Sequence, residues 1–175
     1  PVSRGLGDVY KRQMQGYEAD DLIAAYAKAG QEAGLEVVVV SSDKDLMQLV
    51  DPGDEGPAGT KPIRLYDTMK GRVVGPDRVM EKFGVGPQKL GDLLALAGDS
   101  VDNVPGIQGI GPKTAATLLE DWGDLEGILV NADKVKQKKR RERLIEFAED
   151  ARMSRRLVEL RSDFDLPRPV DEMRD

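Results

Sequence analysis

The segment GDSVDNVPGIQGIGPKTAATLLEDWG, Gly98 to Gly123, leaves its backbone fewer choices than any other stretch of the chain. Pro105 and Pro112 lock φ and remove two amide donors. Gly106, Gly109 and Gly111 can enter the left-handed region at little steric cost. Pro112, directly after Gly111, suits the first turn of a helix. The segment therefore reads as a tight loop feeding a helix N-terminus, anchored in the core by Ile107 and Ile110. Exposed amides and the helix dipole make such a loop an anion site, to which Lys113 adds a charge and Thr114 a hydroxyl. Gly106, Ile107, Gly109, Gly111, Lys113 and Thr114 are the candidate contacts. A DNA backbone phosphate fits there and is bound without reading base edges. The alternative is a structural helical hairpin with no ligand. The G-x-x-x-x-G-K-[ST] spacing of a nucleotide-binding P-loop is absent.

The residues missing from the chain narrow its chemistry. It has no Cys and no His. That excludes disulfides, thiolate nucleophiles, imidazole bases and the usual zinc ligands. Catalysis would rest on carboxylates, lysines, hydroxyls or bound ions, and carboxylate oxygens suit hard cations such as Mg²⁺ and Mn²⁺. No apolar run is long enough to span a bilayer and no signal peptide is visible, so a soluble, cytoplasmic, monomeric chain with no membrane contact is expected.

Residues 1–13 show no helix or strand period and read as a non-family terminus or scar. From Met14 the pattern sharpens. Leu22, Ile23, Ala25, Tyr26 and Ala29 follow helical spacing, with acids in the first turn and Gly30 and Gly34 near the end. LEVVVVSS reads as a strand buried on both faces, and DKDLMQLV as a short helix opening with acids. Asp51 to Pro62 is a loop by composition. IRLYDT and RVVG are strands joined in a hairpin around Met69–Gly71. Beyond Pro76 the signals are helical, with a long basic stretch from Lys134 to Leu160. The expected organisation is an α/β part over residues 14–75, a helical part over 76–167 and a tail or linker over 168–175.

Three groups of acids stand at element ends: Glu18, Asp20 and Asp21; Asp43 and Asp45; Asp99 and Asp102. Singly, each has a plain reading. The first is a helix cap, the second caps the next helix, the third is a turn. Jointly, carboxylates converging on one place repel unless cations sit between them. Two divalent ions clamped in this way are a standard device for phosphoryl chemistry. The net charge of −6 argues against a nucleic-acid partner, but the charges are segregated along the chain. KVKQKKRRER, with Lys138, Lys139 and Arg140 at its centre, reads as a surface helix face able to track phosphates.

GYEADDLIA, SSDKDLMQLV and LAGDSVDNVPGIQGIGPKTAATLLEDWG, in that order, resemble the 5′-nuclease domain of bacterial DNA polymerase I, a 5′→3′ exonuclease and flap endonuclease-like family. KRRERLIEFAEDARMSRRLVELRSDFDLP is similar to the same domain's end. The resemblance covers about Met14 to Pro167. It implies a PIN-like α/β core with a parallel sheet, followed by a helix–three-turn–helix DNA-binding region. It implies metal-dependent hydrolysis of phosphodiesters at 5′ ends and flaps of duplex DNA, including RNA primers, and a covalently linked polymerase domain. Family metal ligands fall on Glu18, Asp20, Asp21, Asp43, Asp45, Asp99 and Asp102. The hairpin from Gly106 to Lys113 would grip duplex phosphates, and its carbonyls would hold K⁺.

The family pattern also has an Asp-bearing first strand, a second Asp and a basic helical arch before the EADD motif. Nothing in Pro1–Gln13 matches these. The expectation is a fragment, nearly or fully inactive on its own, with a DNA-binding module that does not cut as the alternative. No arch Lys or Arg is available to assign as catalytic.

Overall fold

The computed structural model describes residues 14–54 and 59–173. The reading of residues 1–13 lies outside the described residues. Helix α1, Ala19–Glu32, buries Leu22, Ala24, Ala25 and Ala27. Gly30 does not end it. It is buried within the helix, where an added Cβ would lie 3.0 Å from a Val37 methyl, so its bare backbone lets α1 close on the first strand. Gly34, at φ +76°, follows the helix end instead.

Strand β1 is Val37–Val40, β2 is Ile63–Asp67 and β3 is Arg72–Val74. β1 and β2 pair in parallel, Val37 opposite Ile63 and Val40 opposite Tyr66. β2 and β3 pair antiparallel across the expected hairpin, Tyr66 opposite Val73. The sheet is therefore mixed rather than all parallel, because a tight turn of a few residues can only return a strand antiparallel. The valine run is not buried on both faces. Val39 is buried, while Val38 and Val40 are 53% and 65% exposed. Composition alone cannot show which face of a β-branched run will find a neighbour.

The rest is helical. α2 is Pro76–Phe83, α3 Leu90–Ala97, α4 Pro112–Trp122, α5 Leu125–Val130, α6 Lys138–Glu146 and α7 Ala148–Leu157. The long basic stretch breaks at Phe147, which closes α6 and opens α7. α3 is the centre of this half. Leu90, Leu93, Leu94, Ala95 and Leu96 are all buried, with α4 and α7 packed on it. Each such leucine stabilises the fold by about 1.5–3 kcal/mol. Asp92 ties three helices: its carboxylate accepts from Arg155 Nε of α7 at 2.8 Å and from the Leu125 amide of α5 at 3.1 Å. One continuous hydrophobic cluster runs from Ala24 of α1 to Val158.

The segment after α7 returns across α1. The Arg161 amide donates to Asp21 Oδ1 at 2.8 Å, Lys28 Nζ to Ser162 Oγ at 2.7 Å, and Tyr26 Oη to the Arg168 carbonyl at 3.2 Å. Tyr17 and Phe164 meet ring to ring at 4.0 Å. Part of the stretch expected to be a tail is thus docked on the acid-bearing helix. Among the described residues, no helix is long and apolar enough to cross a membrane.

Candidate metal centre and nucleic-acid interface

SSDKD, between β1 and a 3-10 turn over Asp45–Leu49, is wound by its own side chains. The Asp43 amide donates to Ser41 Oγ at 3.0 Å and the Asp45 amide to Asp43 Oδ1 at 2.9 Å. Ser42 Oγ lies 2.9 Å from Thr68 Oγ1, which pins the loop to the end of β2. At the end of α3 a second small loop closes. Asp99 and Val104 exchange backbone hydrogen bonds of 2.8 and 2.7 Å, with Asn103 left-handed at φ +56° between them. The Val101 amide donates to Asp99 Oδ1 at 2.9 Å.

These two loops bring Asp45, Asp99 and Asp102 together. Each offers a carboxylate oxygen, and the three oxygens lie within 4.8 Å of one another. Burial, then the charges of Asp102 and Asp43, push the Asp45 carboxyl up to about 6. Burial, then Asp43, Glu18, Asp21 and Asp102, raise Asp20 as well. Asp20 and Asp43 therefore share the electrostatic neighbourhood of the cluster. Asp99 goes the other way. Burial opposes its charge, but the hydrogen bonds from Lys44 and from the Val101 amide outweigh burial and lower its pKa.

A crowd of like charges at this density calls for a cation. The donor set is oxygen only, which suits a hard divalent ion rather than a soft one. Asp45 Oδ1 is buried with no hydrogen-bond partner, an uncompensated acceptor of the kind a cation would satisfy. The residues present fit such an ion.

Two of the acids also serve the fold. Glu18 is the N-cap of α1 and forms a capping box with Asp21, whose Oδ2 accepts the Glu18 amide at 3.1 Å. Asp21 is buried, and its Oδ1 takes the Arg161 amide. Both oxygens of Asp21 are thus engaged by backbone, while its charge, like that of Glu18, still bears on Asp20. Lys44, which the sequence reading passed over, stands inside the cluster. Its ammonium pairs with Asp99 and lies 3.4 Å from Asp102 Oδ2. The signal for it was a lone lysine between Asp43 and Asp45.

The glycine loop is anchored as expected. Ile107 and Ile110 are buried, and Pro112 is the first residue of α4 with Gly111 as its N-cap. The backbone narrows the set of anion contacts. The Gly106 amide donates to the buried Ser154 Oγ at 3.3 Å and the Ile107 amide to the Leu96 carbonyl at 2.8 Å, so neither is free for a ligand. Gly106 and Gly109 have positive φ, whereas Gly111 is at −91° and extended. Among the described residues, the amides of Gly109, Gly111, Lys113 and Thr114 find no acceptor.

The two basic features of the sequence meet here. Gln108, Gly109 and Ile110 form one wall of a cavity of about 320 Å³, and Gln137, Lys139, Arg140 and Arg143 of the α6 region form the other. Lys138 is not in that wall: it is exposed and lies 3.8 Å from Glu142. A second basic hollow, of about 240 Å³, lies between the β2–β3 hairpin and α2, where Lys70, Arg72, Arg78 and Lys82 converge. Sequence periodicity carried no sign of it.

The model of the 5′-3′ exonuclease N-terminal resolvase-like domain matches residues 8–84, and that of the 5′-3′ exonuclease C-terminal SAM fold matches residues 85–175. The chain belongs to the 5′-3′ exonuclease family. DNA polymerase I of Rhizobium leguminosarum is 50% identical over 161 residues, which is 92% of this chain and 15% of that protein. The 5′-3′ exonuclease of Aquifex aeolicus is 40% identical over 162 residues, 93% of this chain and 52% of that one. The chain thus spans about half of a stand-alone family member and a small part of a family polymerase. Among solved structures, phage T5 5′-exonuclease with bound zinc matches with a TM-score of 0.73 at 24% identity, covering 84% of this chain and 51% of that one. That likeness confirms the 5′-nuclease fold.

Proposed function

We propose that this chain carries part of the metal site and the duplex-gripping surface of a 5′→3′ exonuclease and flap endonuclease. Asp45, Asp99 and Asp102, with Asp20 and Asp43 beside them, would hold Mg²⁺ or Mn²⁺. When bound, such ions supply an activated water and stabilise charge at the phosphodiester. The protein's own part is to aim the carboxylates, through the Asp43–Asp45 and Asp99–Val104 loops, with Lys44 and the Val101 amide favouring the charged form of Asp99. The free amides of Gly109, Gly111, Lys113 and Thr114 and the cations Lys139, Arg140 and Arg143 would take successive phosphates of duplex DNA near a 5′ end or flap, irrespective of base sequence. The same reading seats K⁺ on the hairpin carbonyls. T5 5′-exonuclease structures with divalent metal, and one with DNA and metal ions, support it.

A single observation carries this reading. The acid loop and the glycine loop abut at Gly98 and Gly106, which would hold the proposed metal and duplex sites at a fixed spacing. The test measures Mn²⁺ binding, duplex anisotropy and 5′-flap cleavage for the chain and for Asp99→Asn. Expected are salt-sensitive duplex binding in both proteins and Mn²⁺ binding in the parent alone, with flap cleavage slow or absent. Duplex affinity that collapses in Asp99→Asn, with no Mn²⁺ bound by either, would make these acids structural. Duplex binding without Mn²⁺ binding would leave the non-cutting DNA module.

A further inference from the structure

The acid cluster already contains a cation of its own. Among the described residues, Lys44 is the only cation within ion-pair distance of Asp99 or Asp102, and Asp45 has none. The position of the ammonium is more telling than its charge. Asp99 Oδ1 accepts the Val101 amide, and Lys44 sits on Oδ2, the oxygen without a backbone donor. The same ammonium reaches Asp102 Oδ2. A divalent ion held by Asp45, Asp99 and Asp102 would compete with this ammonium for the same carboxylates.

We propose that Lys44 is the internal counter-ion of the metal-free site, and that metal loading is a cation exchange in which its ammonium leaves Asp99 and Asp102. This rests on the metal-site reading above. Lys44 is suited to the task. It stands in the loop ahead of the 3-10 turn, its side chain is only 28% exposed, and its flexible stem lets the head group swing out without moving the backbone. The exchange has two consequences. The ammonium holds the acids together without metal, which stabilises the free protein. It also competes with the ion and so weakens metal affinity. The chain's own charge then sets how readily the site loads.

The experiment titrates Mn²⁺ into the full chain and into Lys44→Met at constant ionic strength, reading free ion by electron spin resonance. The variant is expected to bind Mn²⁺ tighter by on the order of fivefold, the upper range for a partly exposed ion pair. Equal or weaker affinity in Lys44→Met would overturn the exchange while leaving the metal site standing. No Mn²⁺ binding by either protein would overturn the metal-site reading itself. Should Lys44→Met fail to fold, the unmodified chain answers. On titration with Mg²⁺ the Lys44 ¹³Cε resonance should move toward that of free lysine. A resonance that stays put through saturation would overturn the proposal.

Discussion

Gly98 and Gly106 face each other across the junction of the acid loop and the glycine loop. A Cβ on Gly106 would overlap the Gly98 backbone and lie 2.7 Å from the Ala97 carbonyl carbon, while one on Gly98 would lie 2.8 Å from the Pro105 carbonyl oxygen. Both residues have positive φ, +75° and +61°. Gly106→Ala therefore meets a backbone clash as well as conformational strain. Gly109, at φ +84°, has nothing within 4 Å of a built Cβ, so Gly109→Ala meets strain alone, about 1–2 kcal/mol. Urea unfolding should rank Gly106→Ala well below Gly109→Ala. Equal losses would mean that the two loops do not abut.

Ser154 is fully buried and its hydroxyl accepts the Gly106 amide. Ser154→Ala would orphan that donor, at a cost of about 1–3 kcal/mol. Denaturant midpoints read the loss, and Ser154→Thr or Ser154→Cys should show whether an acceptor in that place recovers part of it.

Asp45 gives the free protein a pH dependence of definite sign. Its carboxyl is raised from 3.8 to about 6, so the folded state holds a proton that the unfolded state has released. Stability from this group is therefore present at low pH and is lost as pH rises from about 4 through about 6. Asp45→Asn should be more stable than the parent at pH 7, and the gap should close toward pH 4. Chemical denaturation at several pH values, with chelator present, checks it.

Asp21 and Asp99 should separate fold from site. Asp21→Asn weakens the capping box and the docking of Arg161, so it should lower stability by about 1–2 kcal/mol with Mn²⁺ affinity little changed. Asp99→Asn should do the reverse to affinity. Mn²⁺ titration beside thermal melting distinguishes them.

The cavity between the glycine loop and α6 ranks the basic residues. Lys139→Ala and Arg140→Ala should each weaken duplex binding and reduce the slope of log K against log salt by about one. Lys138→Ala, outside the cavity wall, should leave the slope alone. Anisotropy over a salt series on two duplexes of unrelated sequence reads both points.

Much of this molecule was decided locally, and so was legible in its sequence. Pro112 behind Gly111 starts α4, Gly84 stops α2, and the hairpin at Met69–Gly71 turns where its residues allow, because caps and turns depend on backbone geometry within a few residues. The acids and the glycine loop were legible as chemistry for the same reason: their residue types and spacing carry the signal. What a given carboxylate does was not. Glu18, Asp21, Asp45 and Asp99 look alike in a string of letters. Only the folded chain sets Asp21 under the Arg161 amide, 140 positions away, and Asp45 beside Asp99 and Asp102. It also lays Lys44 on Asp99 and brings α6 against the glycine loop. Electrostatic energy depends on distance through space, and distance through space between remote residues is settled by how the core packs, which no local pattern encodes.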